Sequence, residues 1–193
     1  PDRTGWPETE LARLVKTPLS AIQPRAERYL VAGIVTALRI QQGKRGKNAF
    51  VTLDDGKGTA EVTVWNETFD ATRALLREDQ LVVVEVKVMQ RIGEDGDAQS
   101  VRIVAENVFD LAAVRKRWAR RLTLSCNGGA DAGRLAEILG PFRAEGVPVT
   151  IHYENGRVAG DVDLPDDWRV NPDPALIDRL REWLQPANVQ VVY

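Results

Sequence analysis

Cysteine, histidine and methionine each occur once in these 193 residues, as Cys126, His152 and Met89, and aromatic side chains make up only 6%. One thiol excludes an internal disulfide. With no signal-like segment and no apolar run of membrane length, it fits a reducing, cytoplasmic setting. One imidazole, with no second metal ligand or nucleophile at useful spacing, offers neither a metal centre nor a nucleophilic triad, so His152 reads as a half-buried structural residue of a strand. Cys126 has no basic neighbour to activate it and reads as a small buried hydrophobe. The carboxylate pairs Asp54-Asp55 and Asp166-Asp167 fall at turns, where Asp serves local hydrogen bonding, so no catalytic residue, metal or cofactor is assigned. A marked net charge is lacking too. At −2, with a pI near 5.6, the chain has no global polyanion-binding signature, and any such binding must come from a local patch.

What is present is 44% apolar and 28% charged residues, enough for one or two domains with real cores. Through Arg120 there are 19 Lys and Arg against 17 Asp and Glu, and beyond it 7 against 11. The chain opens on Pro1 without an initiator, which leads us to expect that something upstream was removed by processing or at a boundary. Residues 1–27, with Pro7, Pro18 and Pro24 around one short amphipathic stretch, read as an arm left from a preceding domain.

From Tyr29 the apolar period becomes two. "YLVAGIVTALRI" is rich in β-branched residues and is broken at Gly33, where a bulge or sharp coil is expected. "AFVTLD" and "TAEVTVW" set Ala49, Val51, Leu53 and Ala60, Val62, Val64 on inward faces, joined by the turn "DDGKG" as a hairpin. "NETFDATRALLRED" reads as a helix with Asn66 as its cap, and "QLVVVEVKVM" and "SVRIVAENV" as two further strands around the polar loop "QRIGEDGDAQ". The order β-β-β-α-β-β within residues 28–108 is that of a five-stranded OB-fold barrel, whose strand 2–3 face and flanking loops bind nucleic acid.

The cationic tip, Arg39 with Lys44, Arg45 and Lys47, falls on the first of those loops, where Gly43 and Gly46 bracket Lys44 and Arg45. The cations would neutralise phosphates, and the glycines would let backbone approach them; the plainer alternative is a solvated loop. Phe50 and Trp65 are the candidate stacking platforms for single-stranded DNA, with a packing role weighed above stacking for Trp65. On the second loop Glu94, Asp95 and Asp97 outnumber Arg91 and would repel a strand.

Residues 109–120, "DLAAVRKRWAR" from Asp110 on, read as a connecting helix whose basic cluster, continued by Arg121, is by default a solvated face, a DNA-backbone contact being the sharper option. Residues 121–193 read as a small α+β domain. Its elements are a strand "RLTLSC", a helix closed by Gly140 and Pro141, a hairpin turning at Asn155-Gly156, a short strand "WRV", a helix capped by Asp173 with Leu176, Ile177, Leu180, Trp183 and Leu184 on its stripe, and a last strand "VQVVY". Few cations sit there, and protein contact is its expected use.

The stretch "VAGIVTALRIQQGKRGKNAFVTLDDGKGTAEVTVWNETFDATRALLREDQLVVVE", with "DLAAVRKRWARRL" and "WRVNPDPALIDRLREWL", resembles the C-terminal region of the alpha subunit of bacterial DNA polymerase III. The hairpin core alone is shared with the anticodon-binding OB appendage of class II aminoacyl-tRNA synthetases, which stays as the alternative. The resemblance implies a segment beyond the catalytic palm of a DNA-directed DNA polymerase. Its OB domain would lie on single-stranded template, and its last domain would bind the tau subunit of the clamp loader. Docking is expected on the final helix and strand, through Trp183, Val189, Val191 and Tyr193. In "NVQVVY", Asn188 stands where the family's glutamine would align, making contact with the sliding clamp a remote option beside that of a docked strand.

Overall fold

Alternation dictates the first unit. Where every second residue is Val, Leu or Ala, an extended chain buries one face only, and five such runs close on themselves. The computed structural model describes residues 8–92, 99–127, 129 and 131–193. It divides into two compact units, Pro1–Leu111 and Ala112–Tyr193.

In the first unit β1 (Tyr29–Gly43), β2 (Gly46–Asp54), β3 (Thr59–Val64), β4 (Leu81–Ile92) and β5 (Gln99–Phe109) form a closed barrel in the order β1-β2-β3-β5-β4. This is the expected OB-fold, and the helix α2 (Asn66–Thr72) lies between β3 and β4 in sequence. The long β1 pairs with β4 over Tyr29–Ile34 and with β2 from Ile34 onward. Its register shift lies between Val35 and Ala37 rather than at Gly33. The barrel closes where β3 and β5 meet in parallel, over Val62–Ile103 and Thr63–Val104 alone. Val31, Val35, Ala49, Val51, Leu53, Val62, Val64, Val84 and Val86 fill the interior at 2% exposure or less, with Phe69 of α2 and Leu76 packed among them.

Two expectations for this unit change. Helix α2 ends at Thr72, and its cap position is Trp65 rather than Asn66, whose side chain is engaged elsewhere. The upstream arm is in part a piece of the barrel. After α1 (Glu8–Leu14) a single 3-10 turn at Leu19–Ala21 buries Leu19 in the barrel core, and the Leu19 N–H donates to Asp55 Oδ2 at 2.7 Å. Asp55 Oδ1 accepts from Lys57 and Gly58, and Asp54 Oδ1 from Gly56, which is the local turn chemistry expected of that pair.

Helix α3 (Leu111–Trp118) stands at the boundary of the units. The second unit is α+β: a sheet β10-β6-β8-β9 with helices α4 (Ala132–Leu139) and α5 (Pro174–Leu184). β6 (Arg121–Asn127) and β8 (Val149–Glu154) run parallel, while β9 (Ala159–Asp163) and β10 (Val189–Val192) are the antiparallel outer strands. Leu122, Leu124 and Val149 of the sheet meet Leu135, Ile138 and Leu139 of α4 and Leu176, Ile177 and Leu180 of α5 in one core. Asp173 caps α5 by accepting from the Ala175 N–H at 2.8 Å, with Pro174 at the first turn.

A short strand β7 (Arg143–Val147) went unread in the sequence, and "WRV" is not a sheet strand. Val170 only bridges to Arg143 and Val147, and a Cβ on Gly146 would lie 2.0 Å from the Val170 carbonyl oxygen, so only glycine fits there.

Candidate nucleic-acid interface

β1 and β2 turn over at Lys44-Arg45, with Gly43 paired to Gly46. The side chains of Lys44, Arg45 and Lys47 are exposed and, among the described residues, none of them enters an ion pair. The tip is held from one side. Asn66 Nδ2 donates to the Arg45 carbonyl at 2.7 Å, and the Asn66 N–H donates to Asn48 Oδ1 at 3.0 Å. Gly46 has φ +130°, and a Cβ there would press on Asn66 at 3.1 Å; a Cβ on Gly43 would meet Asn48 Nδ2 at 2.8 Å. Packing within the tip is by itself a reason for glycine at both positions.

Alternation sets the neighbouring surface. Arg39 on β1 lies directly opposite Phe50 on β2, and its guanidinium carbon sits 4.6 Å from the ring centroid. The Arg39 contact with Glu61, at 4.0 Å between exposed groups, is too weak to tie it down. Phe50 is half-buried on this outer face. Trp65 is 39% exposed, so of the core or interface role weighed above stacking from the sequence, the core half does not hold within this chain. Arg102 of β5 lies over it at 5.8 Å. The sequence reading missed Arg102, although alternation within "SVRIVAENV" already sets it on the face opposite Val101 and Ile103. The opposing Met89, 40% exposed, and the exposed Lys87 extend the same outer face.

Chemically, this joins a cationic tip to two aromatic rings, each with a guanidinium. Cations neutralise phosphate; rings accept bases by stacking, whatever the base. The acidic loop residues Glu94, Asp95 and Asp97 lie outside the described residues, as does the side chain of Arg91.

The basic run around α3 is only partly a solvated face. Arg115 is 2% exposed, and Arg121 donates to both Thr150 Oγ1 and Asp163, the latter at 2.8 Å. The hydrogen bond from Thr150, then the Arg121 charge, holds the Asp163 carboxyl below the usual carboxylate range.

In the second unit, two expected docking residues are corrected. Val189 and Val191 are 3% and 2% exposed because β10 pairs with β6 and turns both inward, so neither can meet a partner directly. Trp183 and Tyr193 are partly buried against the same core. His152 is half-exposed, its Nδ1 2.6 Å from Asp161 Oδ1 on the opposing strand. Cys126 is buried, and that burial pushes its thiol pKa up. Among the described residues no cluster of three or more His, Cys, Asp or Glu could hold a metal, and no helix is long and apolar enough to cross a membrane.

Residues 29–111 match a family model described as an OB-fold nucleic acid binding domain, and residues 134–184 match one described as DNA polymerase III subunit alpha, C-terminal domain. The DNA polymerase III subunit alpha of Neisseria meningitidis serogroup A is 32% identical over 185 residues, covering 94% of this chain and 16% of that polypeptide. That of Pseudomonas aeruginosa is 32% identical over 199 residues, covering 98% and 16%. The chain thus spans about one sixth of the length of these relatives. Among solved structures, the second OB-fold domain of replication protein A from Methanococcus maripaludis matches 49% of this chain and 95% of its own, at 20% identity and a TM-score of 0.36.

Proposed function

Since the chain belongs to the family of C-terminal regions of bacterial DNA polymerase III alpha subunits, we propose that it binds rather than catalyses, with its barrel unit holding single-stranded template DNA. Its second unit binds the tau subunit of the clamp loader, so that template and replisome are joined through one segment in the cytoplasm. Nucleotidyl transfer, on this reading, is the work of other parts of the parent DNA-directed DNA polymerase.

One observation carries the DNA half. The exposed Lys44, Arg45 and Lys47 stand on a tip fixed by Asn66, on the same hairpin as the Arg39–Phe50 pair. Fixed cations beside aromatic rings suit a strand whose bases are unstacked. The similarity to alpha subunits runs through both units, which supports this reading over a synthetase's tRNA-binding appendage.

Fluorescence anisotropy with labelled oligothymidine tests the DNA half. Unlabelled single strand should compete and duplex of equal length should not; equal competition by duplex would overturn it. The tau half is tested on exposed positions of α5 and β10, because β10 itself is core. Glu182→Lys with Gln190→Lys should weaken binding of purified tau without changing oligothymidine affinity. Sliding-clamp binding, the remote option for the terminal strand, is measured in the same format with the clamp as ligand.

A further inference from the structure

β9, "AGDVD", is an outer strand of the second unit's sheet, and all five of its residues are exposed. The hydrogen bonds from Asn155 N–H to the Val158 carbonyl and from Leu164 N–H to the Val149 carbonyl fix which residues face β8. Antiparallel alternation then turns the N–H and C=O groups of Ala159, Asp161 and Asp163 away from the sheet. β9 has no lysine, no proline and no bulge, and the only charges on this edge are the carboxylates of Asp161 and Asp163, which discourage like-charged strands rather than cationic ones.

Its side chains are sorted by face. Val162, 54% exposed, lies opposite Ile151, and Gly160 lies opposite Tyr153, with nothing within 4 Å of where a Cβ would stand. That leaves a notch beside Tyr153 large enough for an incoming side chain. On the other face Asp161 and Asp163 reach outward, each 68% exposed and each oriented from behind, by His152 and by Arg121. A second copy of β9 is a poor occupant. Antiparallel self-pairing centred on Asp161 would set carboxylate against carboxylate, which destabilises directly opposed positions.

We propose that β9 is a docking edge for an extended segment of another protein, one with Lys or Arg at alternate positions and small apolar residues between them. Its backbone pairs with Ala159, Asp161 and Asp163; its cations meet the two carboxylates, and its apolar side chains rest on Val162 and in the notch at Gly160. The site is at the opposite edge of the sheet from β10 and does not depend on how tau is bound.

Amide hydrogen exchange by NMR on the full chain tests this with the peptide acetyl-Lys-Val-Lys-Val-Lys-amide and its Glu-for-Lys counterpart. At saturation the Lys peptide should slow exchange at Ala159, Asp161 and Asp163 by about tenfold or more, as pairing with an edge requires. The Glu peptide should leave them unchanged, and Asp161→Lys should abolish the effect. Unchanged exchange with the Lys peptide, equal protection by the Glu peptide, protection confined to β10, or dimerisation through β9 would each overturn the proposal. Should Asp161→Lys unfold, the two peptides on the unsubstituted chain still decide the matter.

Discussion

Replacing Lys44, Arg45 and Lys47 together by alanine removes three exposed cations and no core contact, so the melting of the barrel should change by no more than about 0.5 kcal/mol. If these three and Arg39 each neutralise one phosphate, the logarithm of the association constant falls by roughly 2.8 per decade of salt, at roughly 0.7 per phosphate on a single strand. Going from about 50 to about 200 mM salt then weakens binding roughly 50-fold in the unsubstituted chain and only roughly threefold in the variant. The two binding curves should converge near about 1 M salt, because the lost term is counterion release alone. Anisotropy titrations with oligothymidine across that salt series measure both slopes. A slope that drops by less than about 0.7, or a gap between the curves that persists at high salt, would refute the assignment of phosphate contacts to the tip.

Phe50→Ala and Trp65→Ala should each lower oligothymidine affinity by about 1–3 kcal/mol while leaving the salt slope unchanged, a combination that separates stacking from charge. Asn66→Ala removes the bond to the Arg45 carbonyl; it should cost about 1 kcal/mol of barrel stability and speed amide exchange at the tip. Because its pKa is depressed on folding, Asp163 contributes stability that is full above the ordinary carboxylate range and is lost as pH falls through its lowered folded value; Asp163→Asn should flatten the acid limb of the second unit's unfolding curve. Gly146→Ala forces a Cβ onto the Val170 carbonyl and should lower the melting temperature of the second unit, read by circular dichroism.

The barrel was legible because its signal is local. Strict alternation in Ala49–Leu53 and Val82–Val88 names the inward face directly, and the Asp54–Gly58 turn announces its own hydrogen bonds. What escaped depends on pairs far apart in sequence. Asn66 carries a capping residue's chemistry at a helix start, and only the fold reveals that Arg45 is close enough to take its amide. Leu19 sits among prolines that read as an arm, and Asp55 recruits it across 36 positions. Arg102 was hidden because it is a lone cation in an apolar strand, with nothing nearby to show that Trp65 lies beneath it. The terminal strand was read as a strand, but Val189 and Val191 were expected to face a partner because the sequence does not mark which side of a terminal strand is covered; pairing with β6 turns both inward.

The parallel meeting of β3 and β5 sets the order in which the barrel can assemble. Strands β1, β2 and β3 form from neighbouring sequence, as β4 and β5 do, so each group can appear early and alone. The two groups meet at two seams, β1 with β4 over six residue pairs and β3 with β5 over only two, and at the shorter one loop closure must be met before many bonds return the cost. That shorter seam should be the last join made during folding and the first to part under partial unfolding. While the chain is being synthesised, β3 waits as an uncovered edge until β5 has emerged, and in that interval the nascent segment is most open to mispairing.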